Sequence, residues 1–245
     1  MGQGVPYEFL TLYFILNFMQ AVILAAGKGT RLRPITYHVP KPMVRVAGKN
    51  LLEHNLDKLP KEIDEIIFVI GYLGEQIKNH FGDEFEGRKI KYIRQKELYG
   101  TGHALHVCKN LLKDRFLVMM GDDIYNKDDI KRCIKHDFVM LVSEVSGKFS
   151  GGRIKLNKDG NLEDIVEGTH KRKTSLVNTG LYVLTDKFFD YKLVQLPDRK
   201  EYGLPQTLVT MARDYPVKIE KATSWLQISD LKGLERAKKI LEKNR

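Results

Sequence analysis

Three short groups of residues carry the chemical possibilities of this chain. The first is Gly27-Lys28-Gly29-Thr30-Arg31, which directly follows the apolar run Ala21-Val22-Ile23-Leu24-Ala25-Ala26. A strand that ends in small and cationic residues suits a polyphosphate. Small residues let backbone N–H groups approach the anion, and Arg and Lys add charge. The turn lacks the GxxxxGK[ST] spacing of a P-loop, and Leu32 stands where a GxGxxG fingerprint needs its third glycine. Taken alone it also fits a plain strand-to-helix turn. The second group is Lys41 between Pro40 and Pro42, a cation on a stiffened loop. The third is Gly121-Asp122-Asp123, after the apolar stretch 116–120. A carboxylate at the end of a buried strand can hold a hard, oxygen-ligated cation such as Mg2+, and it can equally shape a turn.

The elements that must position these groups alternate through the first half of the chain. Strands are expected at 21–26, 66–70, 90–94, 116–120 and 138–142, with helices at 50–59, 73–81, 102–112 and 127–136 between them. That order argues for an α/β fold: a Rossmann-like mixed, mainly parallel sheet with helices on both faces, in a single domain. The second half reads as a hairpin at 153–166, strands at 178–184 and 217–222, a helix at 204–212 and a closing amphipathic helix at 231–243. Residues 19–245 are read as the domain. Residues 1–18 are read as an extension from a misassigned start, with Met19 as the natural one. Their apolar run is too short to span a bilayer, and it lacks both a basic n-region and a small-residue cleavage site.

The formal net charge of +10 admits nucleic acid, anionic small molecules or a solvated Lys-rich surface. The lysines are scattered, and the densest run, Lys171-Arg172-Lys173, sits in a turn-like stretch, so phosphorylated metabolites rank above nucleic acid. Cys108 and Cys133 have no CxxC spacing and fit buried thiols on helices in a reducing, cytoplasmic compartment. The histidines show no metal-ligand spacing, and His103, at the start of a helix, is read as capping or packing. No membrane partner is expected, and the oligomeric state stays open.

Together with Gln95, Gly100-Thr101-Gly102-His103-Ala104, Gly121-Asp122, Gly151-Gly152-Arg153-Ile154, Glu167 and Asn178-Thr179-Gly180, the opening stretch AVILAAGKGTRLRP…VPKPMV resembles the signature of the sugar-1-phosphate nucleotidylyltransferases. The likeness runs from Met19 almost to the C-terminus. Locally it is nearest to the uridylyltransferase half of the N-acetylglucosamine-1-phosphate enzymes. No acetyltransferase β-helix of the kind found in bifunctional relatives is expected, because the sequence stops soon after its closing helix.

The resemblance implies an enzyme that moves a nucleotidyl group from an NTP (UTP, dTTP or CTP) to a phosphorylated sugar, releasing pyrophosphate with Mg2+. It implies that the backbone of Gly27, Gly29 and Thr30, with Arg31, holds the leaving phosphates, and that Lys41 lies at the reacting ones. It assigns Leu24 and Ala26 to the base, with Gln95, Gly100 and Thr101 reading its edge; Gln95 favours uracil or thymine. Gly152, Glu167 and Asn178 would contact acceptor hydroxyls. Asp122 would be the metal ligand, with Gln227 as the second.

Three departures stand out. Gly168 follows Glu167 where the family usually has Lys, Gln227 replaces the usual Asp or Asn, and Tyr202-Gly203-Leu204-Pro205-Gln206 lacks an acid often found there. They keep two alternatives in view: a cytidylyltransferase for a non-sugar phosphate, inositol phosphate or phosphocholine, and a non-catalytic nucleotide-binding regulatory subunit; the acceptor partner is thus a phosphorylated sugar or polyol.

Overall fold

The structure, a computed structural model, describes residues 19–197 and 199–243. The expectation for residues 1–18 lies outside them. In chain order the main strands are β1 (Met19–Ala25), β2 (Ile63–Ile70), β3 (Glu84–Phe85), β4 (Arg88–Arg94), β5 (Arg115–Met120), β6 (Val139–Ser150), β7 (Arg153–Leu156), β8 (Leu162–Val166), β9 (Thr169–Thr185) and β10 (Lys218–Lys221). The helices are α1 (Leu51–Leu56), α2 (Gly74–Phe81), α3 (Gly100–His106), α4 (Lys127–Cys133), α5 (Leu204–Met211) and α6 (Leu231–Lys243).

The ten strands form one mixed sheet in the order β8-β7-β9-β5-β1-β2-β4-β3, with β6 on β9 and β10 on β6. Its centre, β5-β1-β2-β4, is parallel. β9 runs antiparallel to both β5 and β6.

β1 is central because every one of its seven residues is buried. Its side chains alternate between two cores. Ala21, Ile23 and Ala25 join Leu52 and Leu56 of α1, Ile77 and Phe81 of α2 and Ile130 of α4. Val22 and Leu24 join Ala104 and Leu105 of α3 and Leu204 and Leu208 of α5. Helices thus cover both faces. The one polar residue of β1, Gln20, is satisfied in place: its amide donates to Glu65 Oε1 and Leu111 O, and its Oε1 accepts from the Lys113 N–H. A third cluster, Leu32, Val46, Leu51, Ile124, Ile228 and Ala237, anchors α6 against the loop after β1.

Two expectations change. The strands expected at 138–142 and 178–184 are much longer, because beyond the sheet β6 and β9 continue as a two-stranded arm, paired from Val177↔Ser143 to Thr169↔Ser150. Lys171-Arg172-Lys173 therefore lies in β9, with Lys171 opposite Lys148 and Arg172 opposite Gly147, and not in a turn. The arm's outer residues are mostly exposed, so the backbone ladder forms without an apolar face to announce it.

Cys133 ends α4, whereas Cys108 falls in the turn after α3, which stops at His106. Both thiols are buried, and burial pushes each up to about 12. The folded protein should therefore leave both cysteines unlabelled by Ellman's reagent near neutral pH and release two thiolate equivalents only in denaturant. Stoichiometric labelling of the native chain would contradict this packing.

Candidate active site

The candidate residues gather at the carboxyl ends of the parallel strands, where open α/β sheets form ligand crevices. β1 delivers Leu24 and Ala25, and Ala26 just after it, to a cavity of about 520 Å³. Gly27 follows, and a Cβ there would meet nothing within 4 Å, so this bare backbone faces the cavity it lines. Gly29 has φ of 58°, and its missing Cβ would lie 2.7 Å from Lys41 Cβ. Glycine is required here both by the left-handed backbone and by the close passage of the Lys41 stem. The Thr36 hydroxyl donates to Gly29 O at 2.9 Å and braces the loop. Lys41 enters through a 3-10 turn between Pro40 and Pro42 and is only 7% exposed. Its Nζ lies 2.5 Å from Asp122 Oδ2. Asp122 itself keeps 35% of its side chain exposed.

At the far end of the same cavity, Gln95 is buried. Its Nε2 donates to Gly100 O at 3.1 Å and lies 3.0 Å from His103 Nδ1. A carbonyl can only accept, so the amide nitrogen must face Gly100. His103 thus steadies Gln95 as well as packing on Tyr99. Gly100 has φ of 86°, and its Cβ would strike Tyr202 O at 2.6 Å. The Thr101 hydroxyl accepts from Leu204 N–H, the first residue of α5, which ties the start of α3 to α5 beside the cavity.

A second cavity of about 250 Å³ shares Arg31, Lys41, Thr101, Asp122 and Ser229 with the first. It adds Asp123, Asn178 and Gln227. Asn178 is turned toward it by a register shift in β9 between Asn178 and Leu181, next to Gly180 at φ of 81°. Gly180 N–H donates to Asn178 Oδ1, and Asn178 Nδ2 to the Tyr182 hydroxyl. Asp123 is buried, accepting from Trp225 Nε1–H and Ile228 N–H. Desolvation, and then the Asp122 charge, push its carboxyl well above the usual range.

A third cavity, about 330 Å³, shares Asn178, Pro205, Trp225 and Gln227 with the second and adds Gly152 and Glu167. The Gln206 amide donates to Glu167 Oε1 at 3.0 Å. A Cβ on Gly152 would lie 2.7 Å from Ile165 Cγ2 and 2.9 Å from Glu167 Oε1. Gly152→Ala is therefore expected to push Glu167 aside; if Glu167 holds the acceptor, as the resemblance implies, the acceptor KM should rise about tenfold with the nucleotide KM unchanged. Steady-state kinetics with each substrate varied in turn would check it.

The three cavities form one trough, and every candidate residue from the sequence lines it. Sequence reasoning missed Leu98, Glu201 and Ser229 in the first cavity and Phe149 and Trp225 in the third. Glu201 and Ser229 carry no motif of their own; they arrive by folding from the far end of the chain.

Among the described residues no group of three or more His, Cys, Asp or Glu could hold a metal ion. The seam instead brings the Asp122 carboxylate and the Gln227 carboxamide onto the same cavity, where Asp123 has both oxygens bonded to the Trp225 and Ile228 N–H groups and Asn178 is bonded to Gly180 and Tyr182. Two oxygen donors beside room for phosphate fit a hard divalent ion that keeps waters and takes phosphate oxygens.

Residues 20–244 match the family model described as Nucleotidyl transferase. The Bifunctional protein GlmU of Methanocaldococcus jannaschii is 34% identical over 201 residues, covering 82% of this chain and 48% of that protein. The UTP--glucose-1-phosphate uridylyltransferase AglF of Haloferax volcanii is 37% identical over 204 residues, 80% of this chain and 84% of that protein. This chain spans about half the length of the GlmU relatives it matches. Among solved structures, a UDP-glucose pyrophosphorylase complexed with UDP-glucose superposes with a TM-score of 0.76 at 21% identity, over 93% of this chain and 100% of that one. At that identity the likeness speaks for the fold.

Proposed function

The chain belongs to the nucleotidyl transferase family, and on that premise we propose that it transfers a nucleotidyl group from an NTP to a hexose-1-phosphate or N-acetylhexosamine-1-phosphate. An oxygen of the acceptor phosphate attacks the α-phosphorus, the bond from that phosphorus to the bridging oxygen breaks, and pyrophosphate leaves. Such chemistry depends on positioning and on charge. One observation supports the reading above the rest: Lys41 lines both the first and the second cavity where they join, with Asp122 beside it.

In this reading the backbone of Gly27 to Thr30 and Arg31 stabilise the departing pyrophosphate. Lys41 takes phosphate oxygens, which outbid a single carboxylate for its charge. Gln95, with its nitrogen turned to Gly100, keeps Oε1 for the N3–H of uracil or thymine. Gly152, Glu167 and Asn178 hold the acceptor sugar. Asp122 and Gln227 would hold Mg2+, which when bound withdraws charge from the α-phosphate oxygens. A cytoplasmic setting goes with this substrate pair; among the described residues no helix is long and apolar enough to cross a membrane.

A second reading is cytidylyl transfer to phosphocholine or inositol phosphate. It is favoured by Phe149 and Trp225 lining the third cavity beside Glu167, since aromatic faces and a carboxylate suit a quaternary ammonium. One experiment separates these. Pyrophosphate release is measured with UTP, dTTP, CTP, ATP and GTP against a panel of sugar, polyol and choline phosphates in Mg2+. Release with a pyrimidine triphosphate and a sugar-1-phosphate is expected. Release only with CTP and a non-sugar acceptor selects the second reading, and none from any pair leaves a binding protein.

A further inference from the structure

Asp122 and Asp123 are adjacent, yet their carboxylates are engaged differently. Asp122 stands partly exposed in the trough beside Lys41, whereas Asp123, which also lines the second cavity, is 7% exposed and bonded to the chain segment Trp225–Ser229. That segment lies along the seam of all three cavities. Trp225 and Gln227 line the second and third, and Ser229 lines the first and second. Gln227 is exposed while its neighbour Ile228 is fully buried.

The two oxygens of Asp123 grip this segment on either side of Gln227. Oδ2 accepts from Trp225 Nε1–H at 3.1 Å and Oδ1 from Ile228 N–H at 3.0 Å. Asp123 is itself fastened to the body of the fold. Its carbonyl accepts from Asn55 Nδ2 at 2.7 Å, and Asn55 Oδ1 accepts from Tyr125 N–H. Trp225 and Leu226 pair with Tyr125 and Ile124 as a short antiparallel ladder. Behind Gln227, its carbonyl lies 2.9 Å from where a Cβ on Gly233 would sit, so α6 closes the rear. A buried carboxylate beside a second one is costly unless it is bound on purpose, and here both oxygens are used on donors that frame one residue.

We propose that Asp123 is a positioning residue: its carboxylate clamps the Trp225–Ser229 strap at Trp225 and Ile228 so that Gln227, between them, is held facing the reacting groups. A neutral amide is a weaker cation ligand than a carboxylate, so Gln227 depends more on being held in place. The inference rests on the proposed role of Gln227.

Trp225 is the only tryptophan of the chain, so intrinsic fluorescence reports this clamp without any turnover. Asp123→Asn keeps the shape and one acceptor oxygen but turns an N–H2 toward the indole N–H. Its Trp225 emission is expected to move to longer wavelength, with greater acrylamide quenching. Quenching by Mn2+ in the presence of nucleotide should weaken. The half-saturating Mg2+ should rise and kcat should fall, each about 10–100-fold, with the nucleotide KM within about threefold. Because Asp123 acts through Gln227, the pair Asp123→Asn with Gln227→Ala should be no worse than Gln227→Ala alone.

Unchanged emission, or losses that multiply in the double variant, overturns the proposal. If the wild-type chain releases no pyrophosphate with any substrates, the functional reading has failed. The clamp is then judged by Mn2+ quenching: loss in Asp123→Asn supports it, and equal quenching overturns it. Should Asp123→Asn not fold, Trp225→Phe cuts one of the two bonds and is expected to raise the Mg2+ requirement; an unaltered requirement overturns the proposal.

Discussion

Lys41→Ala is expected to lower kcat by about three orders of magnitude, or about 4 kcal/mol of transition-state stabilisation. The geometry explains why so much should hang on one side chain. Lys41 is 7% exposed, between two prolines, with its stem against the bare Cα of Gly29 and its Nζ on Asp122. A cation desolvated to that degree acts on a phosphate far more strongly than one on an open loop, because less water competes. It is also already in place, so little is lost to ordering it during the reaction.

The fold should survive the change. Removing Lys41 leaves Asp122 without its partner, but that carboxylate is 35% exposed and can be hydrated. The melting temperature should move by no more than about 3 °C, roughly 1 kcal/mol. Lys41→Arg should not rescue activity: the wider, planar head must follow a stem whose Cβ and Cγ lie 2.7 and 3.3 Å from where a Cβ on Gly29 would be. Single-turnover and steady-state rates beside a thermal melt test all three statements. Near-normal kcat in Lys41→Ala would remove this residue from the mechanism.

Most of what positions Lys41 was legible before any coordinates. β1 announces itself because six of its residues are apolar; Gly29 announces a turn because glycine takes left-handed backbone that other residues avoid, and Pro40 and Pro42 announce the loop because their φ is fixed. The helix after it begins where Asn50 and Glu53 exchange the two bonds of a capping box, at the start of the apolar run expected to be helical. The outer arm was not legible. Period-2 patterning betrays a strand only when one face is buried, and residues 169–174 of β9 have no buried face.

The site was legible in its parts and not in its connections. Only the resemblance separates Asp122 from Asp123 in the sequence; in the structure both lie in the turn between two strands, and what distinguishes them is their partners, Lys41 for Asp122 and, about a hundred residues later, Trp225 and Ile228 for Asp123. The Gln206–Glu167 bond and the place of Ser229 are long-range in the same way. Roles for the base and acceptor residues came from resemblance, because a glutamine or a glycine on its own implies no ligand.

Asp122→Ala is expected to cost about as much as Lys41→Ala, about three orders of magnitude in kcat. The sum of charges at the seam is the reason. Gln227 is neutral, and both oxygens of Asp123 are bonded to the strap, so among the described residues of this cavity Asp122 is the carboxylate left to hold an ion. The two candidate ligands should therefore respond differently. Activity of Gln227→Ala should be recovered in large part by raising Mg2+, since an anion still holds the ion; activity of Asp122→Ala should not. Gln227→Asp adds a charge and should lower the half-saturating Mg2+. Asp122→Asn, which keeps an oxygen and loses the charge, should fall between wild type and Asp122→Ala. If Mg2+ rescues Asp122→Ala as fully as Gln227→Ala, then the charge at the seam is not what holds the ion, and the division of duties between the two residues fails.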